Sequence, residues 1–537
     1  MKRLSFLAVT LVTLGACGGP QQEEAINPAT AAPGGGAAPA RTASGDVAFE
    51  VSPIEIRGVV YEPEALGRPG MPLVEAKKKT TLDKQRALVQ TTKDPVAKQA
   101  QAAILATMLY LEAKTNKAQE KALLTDARQV LRDVAQQVGD ANIDELTLRL
   151  LGSYELVLED YAAAEKAWAA LIAKDPKAKD LADNRAWLAY AQLKQFRNAE
   201  AAATVGNDKP DDKHAELAYV TAWAKLRTGD GPAAWQAIVA AARGWGQNAN
   251  REQLEHEVLW FAGRAGTALD QAAAVVTGTL GKGKQQQYEL LARLGLTSYV
   301  LVGRWADAVA ALDRAVAVAG DTVPVNDRPV IRYSQADYMV RLDAPDVAAR
   351  FAKQAIEALA GCGAKCDKDK TDTINRVYQM GQLFHGLYAT ANDARYYQPA
   401  HELYDLTLPL LDAKSAAEAR TNLKKLETTL RNTKVGTGTH DKGTIGVLLR
   451  RRDLDIQACY ETQLGTTPKL GGTLVVNLEA DASGAIKGAS TEPKAGAADL
   501  SAVAACAAAR VKQWKLPKRG MPGSTRIKLT YTLAVKS

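Results

Sequence analysis

The hydrophobic pattern changes period several times along this chain. Residues 4–14 form a mainly apolar stretch, and 17–46 carry almost no large apolar residue. Val47, Phe49 and Val51, then Ile54 and Ile56, alternate before the pattern breaks at "YEPEALGRPGMP", which predicts one or two short strands or an extended arm over 47–80. From Leu82 to about residue 432 the period becomes helical, in elements of roughly 12–16 residues separated by short polar turns. A linker over 433–443 leads to a last segment, 444–537. There Ile445, Leu448, Leu449, Ile456, Cys459 and Tyr460 predict one helix, and Leu474, Val476 and Leu478 a strand that turns at Gly484 into a second. Leu500, Val503, Ala504, Ala507, Val511 and Trp514 predict another helix, and Ile527, Leu529, Tyr531, Leu533 and Val535 a final strand. The expected fold is mostly α, with a small α+β domain of helices on an antiparallel sheet at its end.

The helical part is self-similar. "LRLLGSYELVLEDYAAAEKAWAALIAKDP" carries Leu151-Gly152, Tyr161, Ala164, Trp168 and Pro176 at offsets that resemble a tetratricopeptide repeat. "LGLTSYVLVGRWADAVAALDRAVAV" repeats it with Tyr299, Gly303, Trp305, Ala308, Leu312 and Ala315, and weaker copies centre on Ala199, Ala234, Ala348 and Ala400. One helical hairpin cannot bury its apolar face alone, so hairpins stack into a superhelix with a concave surface. The resemblance implies an α-solenoid over 81–432 that binds extended segments or other domains. "DAKSAAEARTNLKKLETTLRN" reads as its polar capping helix.

The amino terminus sets the compartment. Lys2 and Arg3 precede an apolar run too short to span a bilayer, which reads as an export signal. The run ends in Leu14-Gly15-Ala16-Cys17, which resembles the lipobox of bacterial lipoproteins. That resemblance implies cleavage after residue 16 and acylation of Cys17, and several acyl chains hold a protein on a membrane where one does so only marginally. Gly18 follows where a retention aspartate would stand, so the implied destination is the outer membrane, facing the periplasm. Residues 17–46 are too poor in apolar groups to fold and read as a tether with a reach of roughly 30 Å.

Charge and cysteine content narrow the chemistry. The formal net charge is +8, and from Gly443 onward there are 14 Lys and Arg against 7 Asp and Glu. That local excess makes an anionic envelope polymer a candidate partner, although solvated faces are the commoner cause of such an excess. The five histidines are scattered, and His256-Glu257 lacks the second histidine of a zinc protease. "GTLGKGKQ" lacks the Ser/Thr of a P-loop, no Gly-x-Ser-x-Gly elbow occurs, and "CDKDKTD" fails the calcium-loop pattern at Asp372 and Tyr378. No catalytic residue, cofactor site, metal site or nucleic-acid motif emerges. Cys362 and Cys366 could open a zinc site, but no second Cys/His pair lies near them. An even count of non-lipidated cysteines in an exported chain favours a local disulfide.

The last 90 or so residues carry a more specific resemblance. "IQACYETQL", "LGGTLVVNLEADASGAI", "AACAAARVKQWKLP" and the final strand resemble the C-terminal domain of the AgmX/PglI family, related to TonB C-terminal domains. The chain departs from that family with Leu516 before Pro517, where Phe is usual, and with no proline in "YTLAVK". The resemblance implies a bridge between Cys459 and Cys506, the other reading being two buried reduced thiols. Lipobox, repeats and this domain together resemble an outer-membrane repeat lipoprotein of the myxobacterial adventurous gliding machinery. The implied function is a non-enzymatic scaffold that joins envelope proteins of a trans-envelope complex. A TonB-like domain can add a strand edge to that scaffold for pairing with another chain. Alternatives are a TonB-like energy-coupling or transport component, and an outer-membrane assembly or export factor.

Overall fold

The computed structural model describes residues 45–67, 69–75, 80–207, 209–245, 250–431, 438–494 and 499–536. It is mostly helical, with one small mixed sheet built from both ends of the chain. The described chain divides into two compact units, Glu62–Thr267 and Met1–Tyr61 with Ala268–Ser537. The expected single helical array over 81–432 is therefore shared between them, and no helix of the described residues is long and apolar enough to cross a membrane.

Five helical hairpins close with the same turn. The second helices begin at Tyr161, Asn198, Gly231, Trp305 and Pro345. Two residues before each start stands a left-handed residue: Glu159, Phe196, Gly229, Gly303 and Asp343, with φ between 58° and 90°. The next N–H then bonds back five residues, as in Asp160 N to Glu155 O at 2.8 Å and Arg304 N to Tyr299 O at 2.9 Å. These bonds satisfy carbonyls that the first helix leaves open at its end. The fourth residue of each second helix is a fully buried alanine: Ala164, Ala201, Ala234, Ala308 and Ala348. A side chain that small lets the paired helices approach closely. Sequence spacing had marked Ala199 in the second hairpin. It is exposed, because the helix starts at Asn198 and its fourth position is Ala201. Close approach is also visible at Gly152, where an added Cβ would lie 2.6 Å from the Trp168 ring.

In the unit Glu62–Thr267, consecutive helices from Leu82–Thr91 to Arg251–Arg264 pack on their neighbours in sequence. The helices Pro95–Thr115, Leu181–Lys194, Ala215–Arg227 and Arg251–Arg264 carry the side chains that meet residues 62–74.

The other unit contains further helical hairpins and the sheet. Its strands are β1 (Val47–Glu50), β2 (Ile54–Gly58), β3 (Gly472–Ala480), β4 (Ile486–Lys494) and β5 (Thr525–Val535). The order is β1-β5-β3-β4, with β2 following β1 along the same edge of β5. β3 pairs antiparallel with β4 and β5, whereas β1 and β2 pair parallel with β5, Val47 opposite Thr525 and Ile56 opposite Leu533. The sheet is thus mixed where an antiparallel one was expected, because the residues read as an arm complete it. Ser52 and Pro53 separate the two short strands, a break that an edge position tolerates. Val47, Val51, Ile54 and Ile56 are buried together with Leu474, Val476, Leu529, Tyr531 and Leu533. Gly58 ends β2 where any Cβ would meet the Tyr460 ring at 2.7 Å.

The single helix expected over residues 445–460 is two, Lys442–Arg450 and Asp453–Leu464. The apolar period runs through both, but Arg451 and Arg452 turn the chain between them. Both guanidinium groups are largely buried against helix Asp327–Arg341 of the same unit: Arg451 pairs with Asp337, and Arg452 donates to the Arg341 carbonyl at 2.7 Å.

Candidate functional site

Two constellations within the units gather polar side chains in buried places. The first is in the unit Glu62–Thr267, where residues 62–67 and 69–74 lie over the helices without ladder pairing and turn at Glu64–Gly67, Gly67 N–H donating to the Glu64 carbonyl at 3.2 Å. Pro63, Ala65, Leu66, Pro69 and Met71 are buried there. Such a segment has no ladder partner, so its N–H groups must find side chains. Glu257, on helix Arg251–Arg264, supplies them. Its Oε1 accepts the N–H groups of Ala65 at 2.9 Å and Glu64 at 3.2 Å, and the Gln253 amide at 3.2 Å. Its Oε2 accepts the Tyr219 hydroxyl at 2.6 Å and the Trp223 indole at 3.0 Å. The Tyr219 oxygen also accepts from Ala65 N at 3.1 Å. Burial pushes the Glu257 carboxyl above the ordinary range, against the pull of its hydrogen bonds from Tyr219, Trp223, Gln253 and Ala65. Burial likewise raises the Tyr219 phenol, with the neighbouring carboxylate adding to the effect.

Side chains of the segment are read as well. Glu62 pairs with Lys194, and Glu64 accepts from Gln253 at 3.2 Å. Gly67, at φ 68°, lies where a Cβ would come 2.3 Å from the Asn250 amide. Farther on, Val74 N donates to Thr107 Oγ1 at 3.1 Å.

The second constellation fixes the C-terminal helices and sheet to the helices of their own unit. Asp337 is held between Arg341, at 2.9 Å, and Arg451. Burial alone would raise its carboxyl, but the two guanidinium charges outweigh that and hold it below the usual range. Asp455 accepts the Trp514 indole at 2.8 Å, and Arg510 donates to the Val302 carbonyl at 2.8 Å. Asp453, beside Tyr531, is pushed up to about 8 by burial. His440, read as linker, is buried in the same unit. Its Nε2–H donates to the Pro517 carbonyl at 2.8 Å and its Nδ1 accepts the Thr525 hydroxyl at 2.9 Å. Burial holds that imidazole down to about 4. Arg451, Arg452, Asp455, Arg510 and His440 each make at least one bond that ties the C-terminal elements together or to their own unit's helices.

Both expected cysteine pairs are joined: Cys362 with Cys366, Cα atoms 5.8 Å apart, and Cys459 with Cys506, 5.7 Å apart. The first clips the turn between two long helices. The second fastens helix Asp453–Leu464 to helix Ser501–Val511 above the sheet. Cys17 lies outside the described residues. Among the described residues, no group of three or more His, Cys, Asp or Glu side chains is placed to hold a metal ion.

The groove residues were not found from sequence, although a signal existed. Glu257 was weighed only as part of a zinc motif with His256. Yet it lies three residues after Leu254 and four before Phe261, both buried, so helical spacing puts its carboxylate on the apolar face. A carboxylate there needs partners, and Tyr219 and Trp223 are among them. Compared with known proteins, the chain matches no family model, and no curated protein matches it.

Proposed function

We propose that this protein is a non-enzymatic adaptor of a trans-envelope complex, anchored by an acylated Cys17 in the outer membrane and facing the periplasm. In this reading the hairpins are tetratricopeptide-type repeats and the C-terminal segment is an AgmX/PglI-type, TonB-related domain. The complex served is a gliding machine of the myxobacterial kind. The observation that carries the adaptor reading is the set of helical hairpins closed by the same turn, since stacked hairpins offer a broad contact surface. The tether gives the folded part a search radius, and the basic C-terminal segment adds a face suited to an anionic envelope polymer. The disulfide between Cys459 and Cys506 accords with an oxidising compartment.

The test has two arms. Cys17→Ala should move the protein out of the membrane fraction, and unchanged fractionation at wild-type mass would sink the anchor. Deletion of the gene should impair movement on a firm surface and mislocalise a fluorescent motor component, with growth intact. Normal clusters and normal movement would remove the gliding assignment. A uniform loss of siderophore or vitamin uptake would favour the TonB-like alternative.

A further inference from the structure

Residues 62–74 occupy their groove as a ligand occupies a receptor. The receptor is built by helices alone: Tyr219 and Trp223 on one, Gln253 and Glu257 on another, Lys194 on a third. Tyr219 and Trp223 fix one oxygen of the Glu257 carboxylate, which leaves the other facing the groove for two successive backbone N–H groups. This reads backbone, so a segment that makes the same turn supplies the donors. Four further features set a preference. Lys194 calls for an acid at the position of Glu62, and the fully buried Ala65 calls for a small residue three places later. Leu66 then buries an aliphatic side chain, and the Asn250 contact at Gly67 requires glycine after it.

The resident segment fits this site tightly at one end and poorly at the other. Near Thr107 it leaves Leu73 58% exposed, and Leu111, one helical turn beyond Thr107, is 47% exposed. Apolar surface left open beside a bound chain is room that a longer or more apolar segment would cover.

We propose that the groove around Glu257 is a receptor for a turn-forming segment of a partner protein, with the sequence character acid, a buried proline-like position, an acceptor side chain, small, aliphatic, glycine. Residues 62–74 are then its resident, displaceable occupant. The resident holds the site closed until a partner segment that also covers Leu73 and Leu111 replaces it. Because the resident is tethered, its effective concentration is on the order of millimolar, so a partner must exceed it in contact or arrive at high local concentration. The inference rests on the adaptor reading only for the existence of a partner. The chemistry of the groove stands apart from it.

The experiment uses the full chain and a fluorescent synthetic peptide of residues 60–75. In one variant residues 62–67 are replaced by a Gly/Ser stretch of equal length, and in a second Leu66→Ala weakens the resident alone. The peptide should bind the first variant at least tenfold more tightly than wild type. The Leu66→Ala chain should fall between them, and a peptide with Ala65→Asp should bind none of them. Equal binding to wild type and both variants overturns the proposal, as does no binding to a variant whose circular dichroism and melting match wild type. If the replacement variant fails to fold, the Leu66→Ala chain alone decides, because it keeps every backbone bond to Glu257. Loss of peptide binding in these assays leaves the adaptor reading untouched. Normal motility in a deletion strain would remove the gliding assignment without touching the groove.

Discussion

Residues 47–58 and 62–74 are neighbours in one arm, yet they are secured in unlike ways. The first are zipped by backbone bonds to β5, and their apolar side chains alternate into a core shared with two helices. The second have no ladder at all and hang on a few side chains around one buried carboxylate. A ladder spreads its stabilisation over every residue and tolerates substitution wherever alternation is kept. A groove concentrates it at a few points, so single changes there release the whole segment. Ladders suit permanent structure, and point attachments suit exchange.

The contrast can be broken or sharpened by substitution. The largest effect should come from Cys459→Ser, which unfastens the helices lying over β2 and β4. Closing a loop of 47 residues is worth about 4 kcal/mol on the chain-entropy argument, seen as a lowered melting temperature of the unit that holds the sheet. Cys362→Ser, which opens a separation of only 4, should cost about half as much. An equal shift for the two would mean that loop closure is not what the longer bridge supplies.

Next, Ile56→Ala should destabilise the sheet by about 3 kcal/mol, because it removes a buried side chain from a packed layer. Leu66→Ala should hardly move the global melt. Its effect should appear as faster hydrogen exchange at Glu64 and Ala65, since the groove segment opens locally. Coincident losses in both measurements for both variants would erase the distinction between the two halves of the arm.

Acid separates them as well. His440 is neutral when folded and titrates near 4, below the 6.5 of an unfolded histidine. Its contribution is therefore full above about pH 6.5 and is lost as pH falls towards 4. At pH 5 the loss should be about 2 kcal/mol in the sheet unit. Circular-dichroism melts of wild type and His440→Gln between pH 7 and 5 should converge on acidification, and parallel curves would rule the histidine out. The smallest effect belongs to Lys528→Ala, which removes an exposed pair with Glu50 across β1 and β5 and should cost under about 1 kcal/mol.

Much of this was legible in the residues. Period-2 alternation at Val47–Val51 and Ile54–Ile56 announces strands, because a half-buried pleat needs it, but alternation says nothing about which edge accepts them. The partner, β5, lies 478 residues away, and no local pattern encodes that pairing. The helices over 82–431 were legible from their apolar spacing, while the register of one hairpin slipped by two residues because Ala199 and Ala201 are equally small. The break at Arg451 and Arg452 was not legible, since their partners Asp337 and Arg341 belong to a distant element. The Glu257 cluster was hidden for a related reason. A buried carboxylate is visible as an anomaly in an apolar stripe, but its meaning depends on a segment with no periodic signal of its own.

The pairing of β1 and β2 with β5 also governs when the molecule can be finished. A chain made from its amino terminus presents β1 and β2 long before β5, which is made some 478 residues later. Until then Val47, Val51, Ile54 and Ile56 have nowhere to go, and they stand exposed through the passage of nearly the whole sequence. Completion is thus an all-or-nothing event that only an intact chain reaches. A product cut short before residue 525 keeps its first two strands unpaired, where proteases can recognise them. The seam between β1, β2 and β5 can close only after every residue between them has been made.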